Sequence, residues 1–210
     1  NNRFPMAPAP PFCPRCLTCV RGLNACPRCA LAFELHGAVV DTIGVTDREK
    51  RAGQVEDFYS VNPFPGYAPG DTRGTLLDRS RRAHFLTSLD EAIPTDARVL
   101  EGGCGTAQLS AFLAISGPGR TVIGVDGCRV SLKYADDFRE KVGLDNLQLV
   151  RGDLFDLPVE ERAYQVVISR GVVHHTPDPD EATRQVARRV APGGVLVLGF
   201  YETWGRAVHC

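Results

Sequence analysis

A chain of 210 residues with 43% apolar and 23% charged side chains can build both a packed core and a solvated surface, which excludes wholesale disorder and fibrous repeats. Twenty-four basic against 25 acidic residues give a net charge of -1, so a polycationic coat for nucleic acid is excluded and only a local patch remains compatible. No apolar run reaches the ~18 residues of a membrane span, and Asn1–Pro11 has four Pro but no apolar stretch, so a membrane-free, cytoplasmic setting is expected. The chain starts without Met and stops ten residues after an apolar strand, which reads as a fragment. Arg outnumbers Lys 21 to 3, and nothing functional follows from that bias.

The first 36 residues hold five of the eight cysteines. Cys13-Pro14-Arg15-Cys16 and Cys26-Pro27-Arg28-Cys29 repeat one C-x-x-C pattern nine residues apart. A C-x-x-C turn aims two thiolates at one point, and two such turns complete a closed tetrahedral site of the kind structural zinc takes. Cys13, Cys16, Cys26 and Cys29 are therefore the expected metal ligands, and Cys19 is a spare thiol able to replace Cys16. Iron in the same four-thiolate geometry and a disulfide cluster are the competing readings. A closed site has no open coordination position, so its role is to fold a short zinc-ribbon-like module over residues 1–36. That segment carries four Arg against one Glu, so a basic module on an acidic body could touch RNA or a protein, or simply be solvated.

Residues 37–94 read as a linker and helical cap. Asp57-Phe58-Tyr59 and Asn62-Pro63-Phe64-Pro65-Gly66-Tyr67 form an aromatic, proline-stiffened piece that either lies over a ligand or packs between modules. It resembles an Asn-Pro-Pro-aromatic motif only superficially, because it precedes the first strand. The apolar spacing of Leu76, Leu77, Phe85, Leu86, Leu89 and Ile93 predicts a helix over 75–93, ended by Pro94.

From residue 95 the pattern is β-α-β-α-β, which predicts a doubly wound, mostly parallel α/β sheet. The expected strands are Arg98–Glu101, Thr121–Val125, Leu147–Val150, Gln165–Ser169 and Val195–Phe200, and the expected helices Ala107–Ile115, Ser131–Lys141 and Glu181–Val190. Thr106 and Asp180 read as N-caps, and Pro192-Gly193-Gly194 as the turn into the last strand. Ligands of such sheets bind beyond the carboxyl ends of the strands. Gly103 and Gly105 follow the first strand and allow close backbone approach. Asp126 follows the second, placed for two ribose hydroxyls, and Asp153 and Leu154 follow the third, where a carboxylate suits an adenine amino group. A dinucleotide fingerprint wants a small residue where Gln108 stands, and Glu101 would repel a pyrophosphate. S-adenosylmethionine (SAM) has no phosphate, and its sulfonium and ammonium suit a carboxylate.

The stretch Val99-Leu100-Glu101-Gly102-Gly103-Cys104-Gly105-Thr106-Ala107, with Gly124-Val125-Asp126, Gly152-Asp153-Leu154 and the segments Gly171–Pro179 and Arg188–Gly194, resembles the class I SAM-dependent methyltransferases. The resemblance covers residues 98–200. It implies a Rossmann-like fold, methyl transfer from SAM, and cofactor roles for Glu101, Gly103, Gly105, Asp126, Asp153 and Leu154. It departs from the family at Gln165, where many members have Asp, and in lacking the antiparallel hairpin that ends the family sheet. The last strand is then an exposed edge, explained by C-terminal truncation or by a protein partner that covers it. With the cysteines added, the layout is similar to bacterial methyltransferases with an N-terminal zinc module, among them large-subunit rRNA guanine methyltransferases. The acceptor, RNA base or small molecule, stays open. A general base is optional, and His174 or His175 after the fourth strand could serve. A non-catalytic SAM-binding scaffold and a pyrophosphate-binding dehydrogenase are the alternatives.

Overall fold

In the computed structural model of the chain, residues 11–43 and 64–200 are described. In chain order the elements are β1 (Glu34–His36), β2 (Val39–Asp41), α1 (Arg73–Arg81), α2 (His84–Ala92), β3 (Arg98–Gly102), α3 (Gln108–Ser116), β4 (Thr121–Asp126), α4 (Arg129–Val142), β5 (Leu147–Arg151), β6 (Tyr164–Arg170), a 3-10 turn (Val173–His175), α5 (Pro179–Ala187) and β7 (Val190–Gly199). One seven-stranded sheet runs β1-β2-β5-β4-β3-β6-β7. All neighbours pair in parallel except β1 and β2.

The central strands are apolar runs buried on both faces, as a parallel sheet under helices on each side requires. On one face Phe112 and Leu113 of α3 and Leu132 and Phe138 of α4 pack with Val99, Val122 and Leu149. Gly143 ends α4 in the left-handed conformation. On the other face Ala182 and Val186 of α5 join Leu100, Ile123, Val150 and Tyr164. The β5–β6 connection has no helix, and Phe12 fills that side of the core, fully buried. Its backbone N–H donates to Gln148 Oε1 at 2.9 Å, and Tyr164 Oη donates to Pro14 O at 3.3 Å.

The hairpin β1–β2 is the main departure from expectation. The sequence predicts strands only from Arg98 onward, yet Val40 pairs with Val150 and Asp41 with Arg151. Three-residue strands are too short to show an alternating pattern, so tertiary pairing alone defines them. The hairpin also crosses position 36/37, where composition suggests the first module ends.

The helix expected over 75–93 is two helices. Ala83 adopts an extended conformation (φ -92°, ψ 110°) and starts α2, while Thr72 caps α1 in a capping box with Thr75. Arg82-Ala83 contains no breaker residue, so packing sets the break. Asp178, not Asp180, caps α5, with Pro179 at its first position. Thr106 does not cap α3: its place is taken by Ala107, left-handed at φ 55°. The strand expected from Val195 begins at Val190, because the Arg189 carbonyl already accepts the N–H groups of Ala163 and Tyr164. Pro192-Gly193-Gly194 is thus a register irregularity inside the strand rather than a turn before it. β7 forms the sheet edge opposite the hairpin, with Val195 57% exposed. Among the described residues, no helix is long and apolar enough to cross a membrane.

Candidate cofactor site and four-cysteine centre

The carboxyl ends of β3, β4 and β5 bring the sequence-predicted acids to one side of the sheet. The loop after β3 turns back on β4, since the N–H groups of Gly103 and Cys104 both donate to Val125 O, at 2.8 and 3.0 Å. Gly103 (φ 75°) and Gly105 (φ 54°) are left-handed, and neither position has room for a side chain. A Cβ on Gly103 would lie 2.5 Å from the Val172 methyls, and one on Gly105 would lie 2.7 Å from Phe64 O.

Asp126 holds this loop. Its Oδ2 accepts the Gly105 N–H at 2.7 Å and its Oδ1 accepts the Cys128 N–H at 2.8 Å. Each carboxylate oxygen can accept two bonds, so one position per oxygen remains for a pair of vicinal hydroxyls. Burial raises the Asp126 pKa, opposed by the N–H groups of Cys128 and Gly105 that it accepts. Asp153 is half-buried, and its Oδ1 accepts the Phe155 N–H at 2.9 Å. Leu154 lies over β3, 3.1 Å from a Cβ built on Gly102.

Glu101 differs from its expected posture. It is 7% exposed, and its Oε2 accepts both the N–H and the hydroxyl of Ser110, at 3.0 and 2.6 Å. The carboxyl thus ties β3 to the start of α3. Burial pushes its pKa up to about 7 against those two hydrogen bonds.

Sequence reasoning missed how the Phe64–Tyr67 segment sits. Thr106 Oγ1 donates to Pro65 O, and Gln108 Nε2 donates to Gly66 O at 2.6 Å, so this segment lies against the glycine loop. Gln108, which argues against a dinucleotide fingerprint, serves as this anchor. Tyr67 is packed rather than open to a ligand: its ring stacks on Phe138 with centroids 4.1 Å apart. Phe58, Tyr59, Asn62 and Pro63 lie outside the described residues. Gln165, in place of the family Asp, accepts the Arg98 N–H through Oε1 at 2.7 Å and so fastens the starts of β6 and β3. His174 and His175 occupy the 3-10 turn after β6, with rings 4.1 Å apart and tilted by 47°.

The four predicted cysteines come together. The Sγ atoms of Cys13, Cys16, Cys26 and Cys29 all lie within 4.8 Å of one another, with Cys13–Cys29 at 3.6 Å and Cys16–Cys26 at 3.4 Å. Cys19 is exposed and outside the cluster. The two turns repeat one geometry. The Leu17 and Ala30 N–H groups donate back to Cys13 O and Cys26 O, at 2.8 and 2.9 Å. Leu17 (φ 58°) and Ala30 (φ 56°) are both left-handed. Neither is glycine, so this part of the repeat is silent in the sequence. Burial and backbone donors compete at these thiols: burial wins at Cys13, whose pKa rises, whereas at Cys26 the N–H groups of Cys29 and Arg28 prevail and lower it to about 6.

A parallel sheet ordered around β3, with a glycine loop and an acid at the next strand end, defines a Rossmann-like nucleoside-binding fold. Residues 100–198, just under half of the chain, match a family described as methyltransferase domain. An uncharacterized methyltransferase of Bacillus subtilis, YcgJ, is 30% identical over 101 residues, covering 48% of this chain and 39% of that protein. A demethylmenaquinone methyltransferase of Staphylococcus carnosus is 31% identical over 102 residues, covering 48% and 42%. A tRNA U34 carboxymethyltransferase of Methylococcus capsulatus is 30% identical over 142 residues, covering 66% and 44%. The chain thus spans less than half the length of these relatives. The crystal structure of B. subtilis YcgJ superposes with a TM-score of 0.50 at 25% identity, over 55% of this chain and 49% of that one. The [4+2]-cyclase SpnF has a TM-score of 0.55 at 22% identity, over 70% and 59%, a likeness of fold alone.

Proposed function

We propose that the chain binds SAM across the carboxyl ends of β3, β4 and β5 and transfers its methyl group to an RNA base or a small molecule. SAM, when bound, supplies an electrophilic methyl group on a sulfonium. In this reading Asp126 accepts the two ribose hydroxyls through its remaining lone pairs, Asp153 accepts the adenine amino group, and Leu154 lines the adenine. Gly103 and Gly105 let the methionine part approach the backbone, and Glu101, held by Ser110, sets a negative end beneath it. The observation that carries the reading is Asp126, pinned by Gly105 and Cys128 with acceptor capacity to spare. An in-line displacement needs alignment above all, so His174 or His175 is required as a base only if the acceptor must lose a proton.

Cys13, Cys16, Cys26 and Cys29 hold a structural zinc ion in this reading. At ~2.3 Å per Zn–S bond a tetrahedral site has sulfurs about 3.8 Å apart, near the separations of 3.4 and 3.6 Å found here. Four thiolates leave no position for substrate, so the metal's part is to fold the segment.

The test is calorimetric titration with S-adenosylhomocysteine. The intact chain binds one equivalent, and Asp126→Ala abolishes binding while the circular dichroism spectrum is kept. Unchanged affinity in that variant refutes the site. Methylation assays on whole-cell RNA and on a metabolite extract then separate the two acceptor classes, and binding without turnover on either points to the scaffold alternative.

A further inference from the structure

The hairpin β1–β2 ends against the edge of the proposed cofactor site, and the contact there is a buried charge cluster. Asp41 is fully buried at the end of β2. Its Oδ2 accepts from Arg151 Nη1 at 3.1 Å and from Arg129 Nη2 at 3.0 Å, with His36 Nε2 3.6 Å away, while Oδ1 accepts the Ile43 N–H at 3.0 Å. Both arginines border the cofactor loop. Arg151 is the register partner of Asp126 on β5, and its Nε donates to Gly127 O at 3.0 Å. Arg129 opens α4 directly after Cys128, whose N–H is bound by Asp126. The Thr42 N–H and hydroxyl both donate to Arg151 O, at 3.0 and 2.8 Å, which fixes the same residue from the backbone side.

We propose that Asp41 is a positioning residue: through Arg151 and Arg129 it sets the Asp126–Arg129 loop and thereby the affinity for the adenosine part of the cofactor. The inference rests on the SAM reading above. Two cations converging on a buried carboxylate fix their own geometry far better than exposed pairs do, because a lone buried charge is costly. The Arg151 guanidinium then offers Nε to Gly127 O from a fixed place, and Gly127 follows the ribose-binding acid. The hairpin that follows the cysteine turns is by this route tied to the loop of the proposed cofactor site.

The experiment compares affinities for S-adenosylhomocysteine and for 5′-methylthioadenosine, which lacks the amino-acid part. Asp41→Asn weakens both by the same factor, about tenfold, as loss of groups that orient a binding residue from behind commonly does. Asp41→Asn/Arg151→Met removes the buried carboxylate and the buried guanidinium together, while Arg129, its side chain 45% exposed, stays in contact with water, and it weakens both ligands alike. Gln148→Leu cuts the hairpin's other anchors, the bonds to the Phe12 N–H and Ala38 O, away from the cofactor end. It lowers the melting temperature with the affinities unchanged. Affinities unchanged in the two Asp41 variants, or lowered equally in Gln148→Leu, overturn the positioning role and leave the SAM reading intact. Failure of the unmodified chain to bind either ligand overturns the SAM reading itself.

Discussion

Replacing Phe12 with Ala asks whether the cysteine segment is a separate bead or part of the core under the sheet. Phe12 stands one residue before the first cysteine of the four-cysteine cluster, yet it has no exposed surface and belongs to the cluster of Leu100, Ile123, Val150 and Tyr164. Truncating a fully buried Phe costs about 3–5 kcal/mol in lost transfer energy and cavity. For a chain of this length that corresponds to a fall of about 10 °C in melting temperature. The Phe12 N–H bond to Gln148 is a backbone bond and survives, so the loss reports the ring alone. Differential scanning calorimetry on the metal-replete chain reads the outcome, and a single transition shifted as a whole is expected. A bead would instead show the main transition in place with only a small early event. That result, or a loss under about 1 kcal/mol, would refute the shared core.

Glu101 gives a pH-dependent prediction. Its folded pKa, about 7, lies above the usual carboxylate range, so the folded state holds this proton more tightly than the unfolded one. The stability it contributes is present at pH 4 and is lost as the pH rises through about 7. Glu101→Gln should therefore match the parent at pH 4 and exceed it by about 3 kcal/mol at pH 8 in cofactor-free urea melts; a difference flat with pH would count against it. For the metal, Cys13→Ser should lose the one equivalent of zinc read by atomic absorption, while Cys19→Ser should keep it. Loss of zinc in Cys19→Ser would mean that the ligand set is wrong.

Much of the fold is legible because parallel strands are near-continuous apolar runs and their ends carry recognisable turns. Gly103, Gly105, Asp126 and Asp153 stand where the β-α-β pattern expects them, and the C-x-x-C repeat gives the four clustered sulfurs. Features set by distant partners are not legible. The strand Val39–Asp41 exists because β5 offers it an edge, and nothing in three residues announces that. The break between α1 and α2 contains no glycine or proline. Pro179 does mark the start of α5, since proline favours the first helical position, and it points to Asp178 as the cap. Glu101 is in the expected place, but its tie to Ser110 follows from α3 folding back over β3, nine residues on.

The pairing of β2 with β5 also bears on how the chain comes into being. Asp41 and Arg151 are 110 residues apart, so the N-terminal segment leaves the ribosome long before its sheet partner exists. At roughly 5–20 residues per second the wait lasts on the order of ten seconds. During that interval Phe12 lacks Leu100, Ile123, Val150 and Tyr164, which bury it in the finished molecule, whereas Val20 and Phe33 pack with the cysteines and Val40 of their own segment. The cysteine turns are local, closing within 17 residues of sequence from Cys13 to Cys29, so a metal ion can gather them at once. The cluster would then act as a temporary clasp, keeping an early apolar segment ordered until β5 and β6 take it in.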